Sequence, residues 1–392
     1  MKINFSPISY KFTNKEYQNI FKKLSLNNSY TQGSYLEEFE NKLSKYYGTD
    51  NCIVTSNAVS ALEIIVDLIN LNNDDEILIP AHTYTASAYP FLRKTQKIKW
   101  IDINPNTGVT NIKYIKERVT KKTKVIVVVH LYGYSVDIKP IQKFAKKNKI
   151  ILIEDAAQSI GSEIDGKKTG TLGDFSIVSF QQQKNLTSLG EGGLLIFKDK
   201  KLKNIIKQLR HNGHAKFKNQ RDYWLPAMSN VVMPIKDNRR ILPHNFCLSE
   251  VNCIAGIMLL SKIDKLNKIK AKKAKYLINK LSSVSDFLKF NSDYSKKNNF
   301  HLLIGICKNI NRNSLIRDLF HKYKIQSIIQ YYPLYNYDFY KNIDKNYRCK
   351  NTEFFYDNMI SIPFSHFITF KELDYIARSI KLVIKNIYNH NM

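Results

Sequence analysis

The run Val125-Ile126-Val127-Val128-Val129-His130 constrains the fold more than any other stretch of this chain. Five consecutive β-branched residues disfavour a helix, and without polar alternation they describe a strand covered on both faces. Such a strand belongs inside a sheet with helices on either side. Further apolar runs fit the same sheet: Cys52-Ile53-Val54-Thr55, Glu76-Ile77-Leu78-Ile79-Pro80, Ile98-Lys99-Trp100-Ile101-Asp102-Ile103 and Ile150-Ile151-Leu152-Ile153-Glu154-Asp155. Helical patterns at 61–71, 111–120 and 138–147 fall between them, and a further helix is predicted to run to Phe91. Strands alternating with helices give a largely parallel sheet with right-handed crossovers, whose ligands gather outside the carboxyl ends of strands.

Around this centre the chain divides in two. Residues 34–48 place Tyr35, Leu36, Phe39, Leu43 and Tyr47 close to helical spacing, with Gly48 as the stop. Beyond residue 198 the sheet signal fades. Residues 199–212 read as a basic helix, and 213–247 are irregular, with Tyr223-Trp224-Leu225-Pro226, Met233-Pro234 and Pro243-His244-Asn245-Phe246. A connection this long without clear structure marks a functional segment or an interface. Ser249-Glu250 opens a predicted long helix through Ile263, Leu266 and Ile269, and the basic segment 268–276 reads as a hinge. Residues 1–265 are therefore expected to form a large α/β domain with an N-terminal arm, and 266–392 a smaller α+β domain. The smaller domain has strand candidates at 301–307 and 326–330, a Tyr331-Tyr332-Pro333 turn and an amphipathic helix at 371–388.

Composition excludes several classes. The formal charge of +28, from 61 Lys plus Arg against 33 Asp plus Glu, invites a nucleic-acid reading. The basic residues, however, form short scattered clusters such as Lys121-Lys122 and Lys272-Lys273, and no nucleic-acid motif interleaves them. What remains is an electrostatic pull on small anionic substrates. No run approaches the roughly 18 apolar residues of a membrane span, and the N-terminus lacks the apolar core of a signal peptide, so no membrane partner and a cytoplasmic location are expected. The five cysteines are odd in number and scattered, which argues for reduced thiols over a disulfide framework or zinc site. His211 and His214 lack a third ligand, so no metal is expected.

Three features carry chemistry. Lys184 follows the strand-like run Phe175–Phe180 and precedes a turn marked by Gly190, Gly192 and Gly193. Taken alone, one lysine among so many basic residues is a solvated loop side chain. Asp155 closes an apolar strand and is followed by Ala156-Ala157-Gln158-Ser159, where it is either a helix N-cap or a carboxylate paired with a cationic heterocycle. Residues 56–60 join a strand to a helix start, which makes either an anion site or an ordinary cap. The Gly190–Gly193 sequence precedes a strand, so it is not the nucleotide fingerprint that opens a helix. Together with Tyr84, a flat ring, these pieces meet the needs of amino-group transfer through pyridoxal 5'-phosphate. A lysine amine forms a Schiff base with the cofactor, a carboxylate keeps the pyridine nitrogen protonated, and a helix N-terminus receives the phosphate.

The chain resembles the sugar aminotransferases of the DegT/DnrJ/EryC1/StrS group, fold-type I enzymes dependent on pyridoxal phosphate. The likeness runs through Thr31-Gln32-Gly33, Ser56-Asn57, Pro80 to Tyr84, His130-Leu131-Tyr132-Gly133, Glu154 to Gln158, Ser179, Lys184-Asn185, Gly190 to Gly193, Asn245, Leu248-Ser249-Glu250 and Tyr332-Pro333. It implies a large domain with a mostly parallel seven-stranded sheet. It also implies that Lys184 is the Schiff-base lysine, Asp155 the pyridine partner, and Gln158 a neighbour of the ring hydroxyl. Tyr84 would stack on the ring; Ser179 and the turn Asn57-Ala58-Val59 would hold phosphate. Asn245 would reach the phosphate in the partner subunit of an obligatory homodimer with shared active sites.

Ala58-Val59 departs from the group's usual Gly-Thr and removes one hydroxyl, which Ser60, Asn57 or backbone N–H groups would have to replace. Gln181-Gln182 resembles members acting on aminocyclitol-type ketones as well as nucleotide-sugar members. Retention of a lysine where deoxygenating dehydratases carry histidine favours transamination. The expected reaction moves an amino group from L-glutamate to a nucleotide-linked keto-deoxysugar for surface polysaccharide or glycoconjugate biosynthesis, with Arg210, Arg239 and Arg240 as candidates to hold the anions. A cyclitol or non-nucleotide keto-sugar is the alternative acceptor, and a cofactor-binding regulatory or inactive homologue the alternative class.

Overall fold

The valine run lies inside a seven-stranded sheet, and all five of its β-branched residues are buried. The structure, a computed structural model, describes residues 1–6, 8–217, 229–291 and 297–390; the stretch Tyr223-Trp224-Leu225-Pro226 lies outside them. The strands are β1 (Cys52–Thr55), β2 (Glu76–Pro80), β3 (Ile98–Ile101), β4 (Thr123–Val129), β5 (Ile151–Asp155), β6 (Phe175–Ser179) and β7 (Gly193–Phe197), in the order β1-β7-β6-β5-β4-β2-β3. Pairings from β3 through β6 are parallel, and β7 runs antiparallel to both its neighbours. The mostly parallel sheet expected from the alternation is present.

Helices α1 (Asn14–Ser25), α2 (Ser34–Tyr47), α3 (Ala58–Leu68), α4 (Ile112–Arg118), α5 (Ile138–Lys147) and α6 (Lys203–Arg210) belong to this part of the chain. Helix α2 ends where its sequence says it should, at Gly48 with φ +69°. The predicted helix before Phe91 is instead two short 3-10 turns, Thr85–Ser87 and Tyr89–Arg93, because Pro90 has no N–H to donate there. Among the described residues of 213–247 the ladders are two residues long, His214–Ala215 with Asn230–Val231 and Ile235–Lys236 with Arg239–Arg240.

The long helix predicted from 249 is two helices, α7 (Glu250–Leu260) and α8 (Ile263–Lys280). Their surroundings differ. Helix α7 is buried along most of its length, whereas α8 has one buried face. The basic segment 268–276 lies within α8, which runs unbroken through it. Beyond it, β8 (Leu288–Phe290), β9 (Leu303–Cys307) and β10 (Met359–Ile362) make a small antiparallel sheet, with α9 (Arg312–Tyr323), α10 (Lys350–Asn358) and α11 (Phe370–His390). The strand candidate at 326–330 makes no ladder. Its backbone is divided between partners, Gln326 N donating to Ile3 O at 2.9 Å and Ile328 bridging Ser361.

The second part is tied to strand ends of the large sheet. Just beyond β3, the Asp102 carboxylate accepts from Thr352 N at 2.8 Å and Asn351 N at 3.0 Å, which caps α10. Gly133, at φ +87°, lets Asn299 approach so closely that a Cβ there would sit 1.9 Å from Asn299 Oδ1.

Candidate active site

Strand register assembles the site. Thr55 of β1, Gly193 of β7 and Ser179 of β6 lie on one rung, and Asp155 of β5 pairs with Ile177 of β6. Gly193 has no room for a side chain: a Cβ would come within 2.3–2.5 Å of the backbone of Asn57 and Ala58. The glycine therefore lets the turn after β1 close against the sheet.

Within that turn, Asn57 is an N-cap. Its Oδ1 accepts from Ser60 N at 2.8 Å and from Ser60 Oγ at 3.1 Å, so the Asn57 side chain is engaged by its own helix. Ala58 and Val59 are the first two residues of α3, whose N–H groups have no acceptor within the helix. Backbone amides and the helix dipole thus remain as anion-attracting groups in a turn without a hydroxyl at position 59.

Asp155 is held at both oxygens, Oδ2 accepting from Ser87 Oγ at 2.7 Å and Oδ1 from Ala157 N at 3.0 Å. Gln158 is equally fixed. Its Oε1 accepts from Tyr132 N at 2.7 Å and its Nε2 donates to the Tyr331 hydroxyl at 2.9 Å. Tyr331 stacks on Tyr132, centroids 6.3 Å apart with planes 4° apart, and meets Tyr84 edge-on at 6.1 Å. Burial raises the Tyr331 phenol and keeps it protonated. This tyrosine was read from sequence only as part of a turn; the adjoining Tyr-Tyr-Pro was the available signal.

Lys184 is partly buried, and burial lowers its pKa while the negative charges of Asp155 and Glu191 oppose that shift. Burial also raises the Glu191 carboxyl, against the pull of Lys184. Lys184, Asp155, Gln158, Tyr84, Ser179, Asn57, Ala58 and Val59 all line one cavity of about 630 Å³, within the usual range for small-molecule sites. Ser60, Gln181, Gln183, Glu191, Gln330 and Tyr331 also stand in its wall.

Asn245 is not brought there; it is exposed, and its backbone bridges His211. Arg210, Arg239 and Arg240 do not line the cavity either. Arg210 is committed to Glu40 at 2.7 Å and Val54 O at 3.0 Å, and Arg239 reaches Leu68 O at 3.3 Å. His211 and His214 face one another at 4.4 Å. No group of three or more metal-ligating side chains occurs among the described residues.

A lysine of lowered pKa, a carboxylate anchored at both oxygens, free amides at a helix start and a tyrosine at the rim fit a phosphate-bearing pyridine cofactor. Comparison with known proteins agrees. The model of the DegT/DnrJ/EryC1/StrS aminotransferase family matches residues 12–381. The chain is 29% identical over 363 residues to a UDP-4-amino-4,6-dideoxy-N-acetyl-beta-L-altrosamine transaminase of Campylobacter jejuni, covering 91% of this chain and 92% of the relative. Among solved structures, PseC of Helicobacter pylori, an aminotransferase involved in the biosynthesis of pseudoaminic acid, superposes with a TM-score of 0.87 at 22% identity over 98% of this chain and all of PseC. NtdA of Bacillus subtilis, solved with bound cofactor PMP, superposes at 0.85 with 23% identity, over 98% of this chain and 85% of NtdA.

Proposed function

Because the chain belongs to the DegT/DnrJ/EryC1/StrS aminotransferase family and is a fold-type I transaminase dependent on pyridoxal phosphate, we propose that it transfers the amino group of L-glutamate to a keto-sugar carried on a nucleoside diphosphate. The observation that carries this reading is the meeting of Lys184, Asp155 and the amides of α3 in one cavity. The full-length likeness to a UDP-sugar transaminase supports the acceptor class.

In this proposal the N–H groups of Ala58 and Val59 and the Ser179 hydroxyl would hold the phosphate, and Asp155 would pair with the ring nitrogen. Tyr84 would hold the ring face, and Gln158 with Tyr331 the ring oxygen. When bound, the cofactor supplies an electron sink for the carbon that gains or loses the amino group. The Ser87 and Ala157 bonds keep the Asp155 carboxylate from turning away, which fixes the negative charge at one point. Lys184 Nζ would hold the cofactor and is the group that would carry a proton to and from the reacting carbon. Its lowered pKa favours both tasks by increasing the neutral fraction.

Asn245 acts in the partner subunit's site. Exposed Val231, Ile235 and Leu242, in the same segment, support an interface role.

Two measurements follow. Val59→Thr, which adds the hydroxyl the turn lacks, should tighten pyridoxal phosphate binding to the apoprotein up to about tenfold, the effect of one further hydrogen bond. An absorbance titration reads this, and unchanged or weaker binding would place that side chain away from the phosphate. For the acceptor, keto-sugars with and without a nucleoside diphosphate should be assayed with glutamate or glutamine. Turnover of the nucleotide-linked sugars with glutamate is expected. Turnover confined to free cyclitols, or none at all with cofactor bound, would overturn the substrate assignment.

A further inference from the structure

We propose that Lys270 is a positioning residue for amino transfer, holding through Asn185 the backbone that carries Lys184. This rests on the assignment of Lys184 above. Lys270, on α8, is 6% exposed, and its Nζ donates to Asn185 Oδ1 at 2.9 Å and His301 O at 3.1 Å. It adjoins a small cavity that shares Gln183, Gln330 and Tyr331 with the active-site cavity and has no Asp or Glu in its wall. No carboxylate forms an ion pair with Lys270 among the described residues; the Phe364 ring lies 5.7 Å from Nζ, and the His301 and His366 rings feel its charge. In keeping with this isolation, burial lowers its pKa to about 7.

A buried ammonium without a counter-ion is unfavourable, and a methionine of similar length would fill the same space without that penalty. Charge burial alone therefore does not account for a lysine here. Geometry does. Asn185 directly follows Lys184, and its amide is gripped on every side: Nδ2 donates to Asn267 Oδ1 at 2.9 Å and Asn299 O at 3.1 Å, while Oδ1 accepts from Lys270 and faces His301 Nδ1 at 3.4 Å. From the other side Ser9 bonds the loop backbone, its Oγ donating to Lys184 O and its N–H to Gln182 O at 3.0 Å. The peptide carrying the reactive amine is thus clamped between the N-terminal arm and α8. Lys270 contributes two donor hydrogen bonds to that clamp, to Asn185 Oδ1 and His301 O. A lysine whose Nζ must alternate between bonding the cofactor and moving a proton needs its backbone fixed, because a misplacement of about 1 Å can cost ~10²-fold in rate.

The test uses the holoenzyme with Lys270→Met, Lys270→Arg, Asn185→Ala and the double variant Lys270→Met with Asn185→Ala. Lys270→Met should retain its far-ultraviolet circular dichroism, bind pyridoxal phosphate and still be labelled at Lys184 by borohydride. Its kcat should nevertheless fall about 10–100-fold with KM for both substrates within about threefold of the parent. The visible circular dichroism of the bound cofactor should change, reporting an altered orientation. Lys270→Arg, which keeps the charge and the donors, should recover most of the rate. The double variant should be no slower than Asn185→Ala, since both substitutions cut one path.

Parental kcat and visible dichroism in Lys270→Met, or losses that multiply in the double variant, would overturn the proposal. Should Lys270→Met fail to fold, Asn185→Ala decides: a kcat at the parental level rejects the proposal, and the predicted loss with rescue in Lys270→Arg supports it. Failure of borohydride to label Lys184 in the unsubstituted enzyme would reject the underlying assignment, and this inference with it.

Discussion

Lys184→Arg should leave the cofactor bound yet lower turnover on the order of 10⁴-fold, the upper end of what loss of a positioned proton-transfer group costs. The loss of the covalent bond adds to that effect. In the parent protein borohydride should fix pyridoxal phosphate on the peptide containing Lys184, and in the variant it should fix none. Label on another lysine would move the chemical centre elsewhere. The pH dependence gives an independent check. Burial lowers the Lys184 pKa from the usual 10.5, against the pull of Asp155 and Glu191. The amine is therefore neutral, and able to attack, at a lower pH than a free lysine. Cofactor uptake by the apoprotein should rise with pH through a midpoint below 10.5. Asp155→Asn removes a charge that raises the pKa, so the midpoint should move lower still. A midpoint at or above 10.5 would contradict the burial argument.

The legible part of this site is the part that sits at strand ends. Asp155 could be singled out because an apolar strand that stops on a polar residue in a parallel sheet points that residue at the ligand side, whereas Ser179 came only with the resemblance. Lys184 needed more, since nothing local separates it from other loop lysines; its meaning came from the other motifs and from the resemblance they supported. Tyr331 was not legible, because its bond to Gln158 spans 173 residues and only the fold brings the two together. The Asn57 side chain shows a different limit: the sequence does not say that its oxygen caps α3 through Ser60, which leaves the amide nitrogen as its donor toward the cavity.

Lys270 was hidden for a different reason. A run of lysines on a helix reads as a solvated face, and only tertiary packing shows one of them turned inward. The small antiparallel sheet was partly missed because β8 and β10 are three and four residues long, too short for periodicity to declare itself.

The proposal that Asn245 acts in the partner subunit's site makes the second large prediction. Asn245→Glu would set a carboxylate against the phosphate of the partner's cofactor, so this variant, like Lys184→Arg, should be nearly inactive as a homodimer. Mixed subunits behave differently if Asn245 acts in trans. A heterodimer of the two variants carries both substitutions in one site and neither in the other. Unfolding and refolding an equimolar mixture gives about half heterodimers, each with one intact site, and hence about a quarter of parental activity. If Asn245 acted in its own chain, every site in the mixture would carry one substitution and no activity would return. The position of Asn245 in one chain, exposed and outside the cavity that gathers the other candidates, is what makes the trans outcome the expected one.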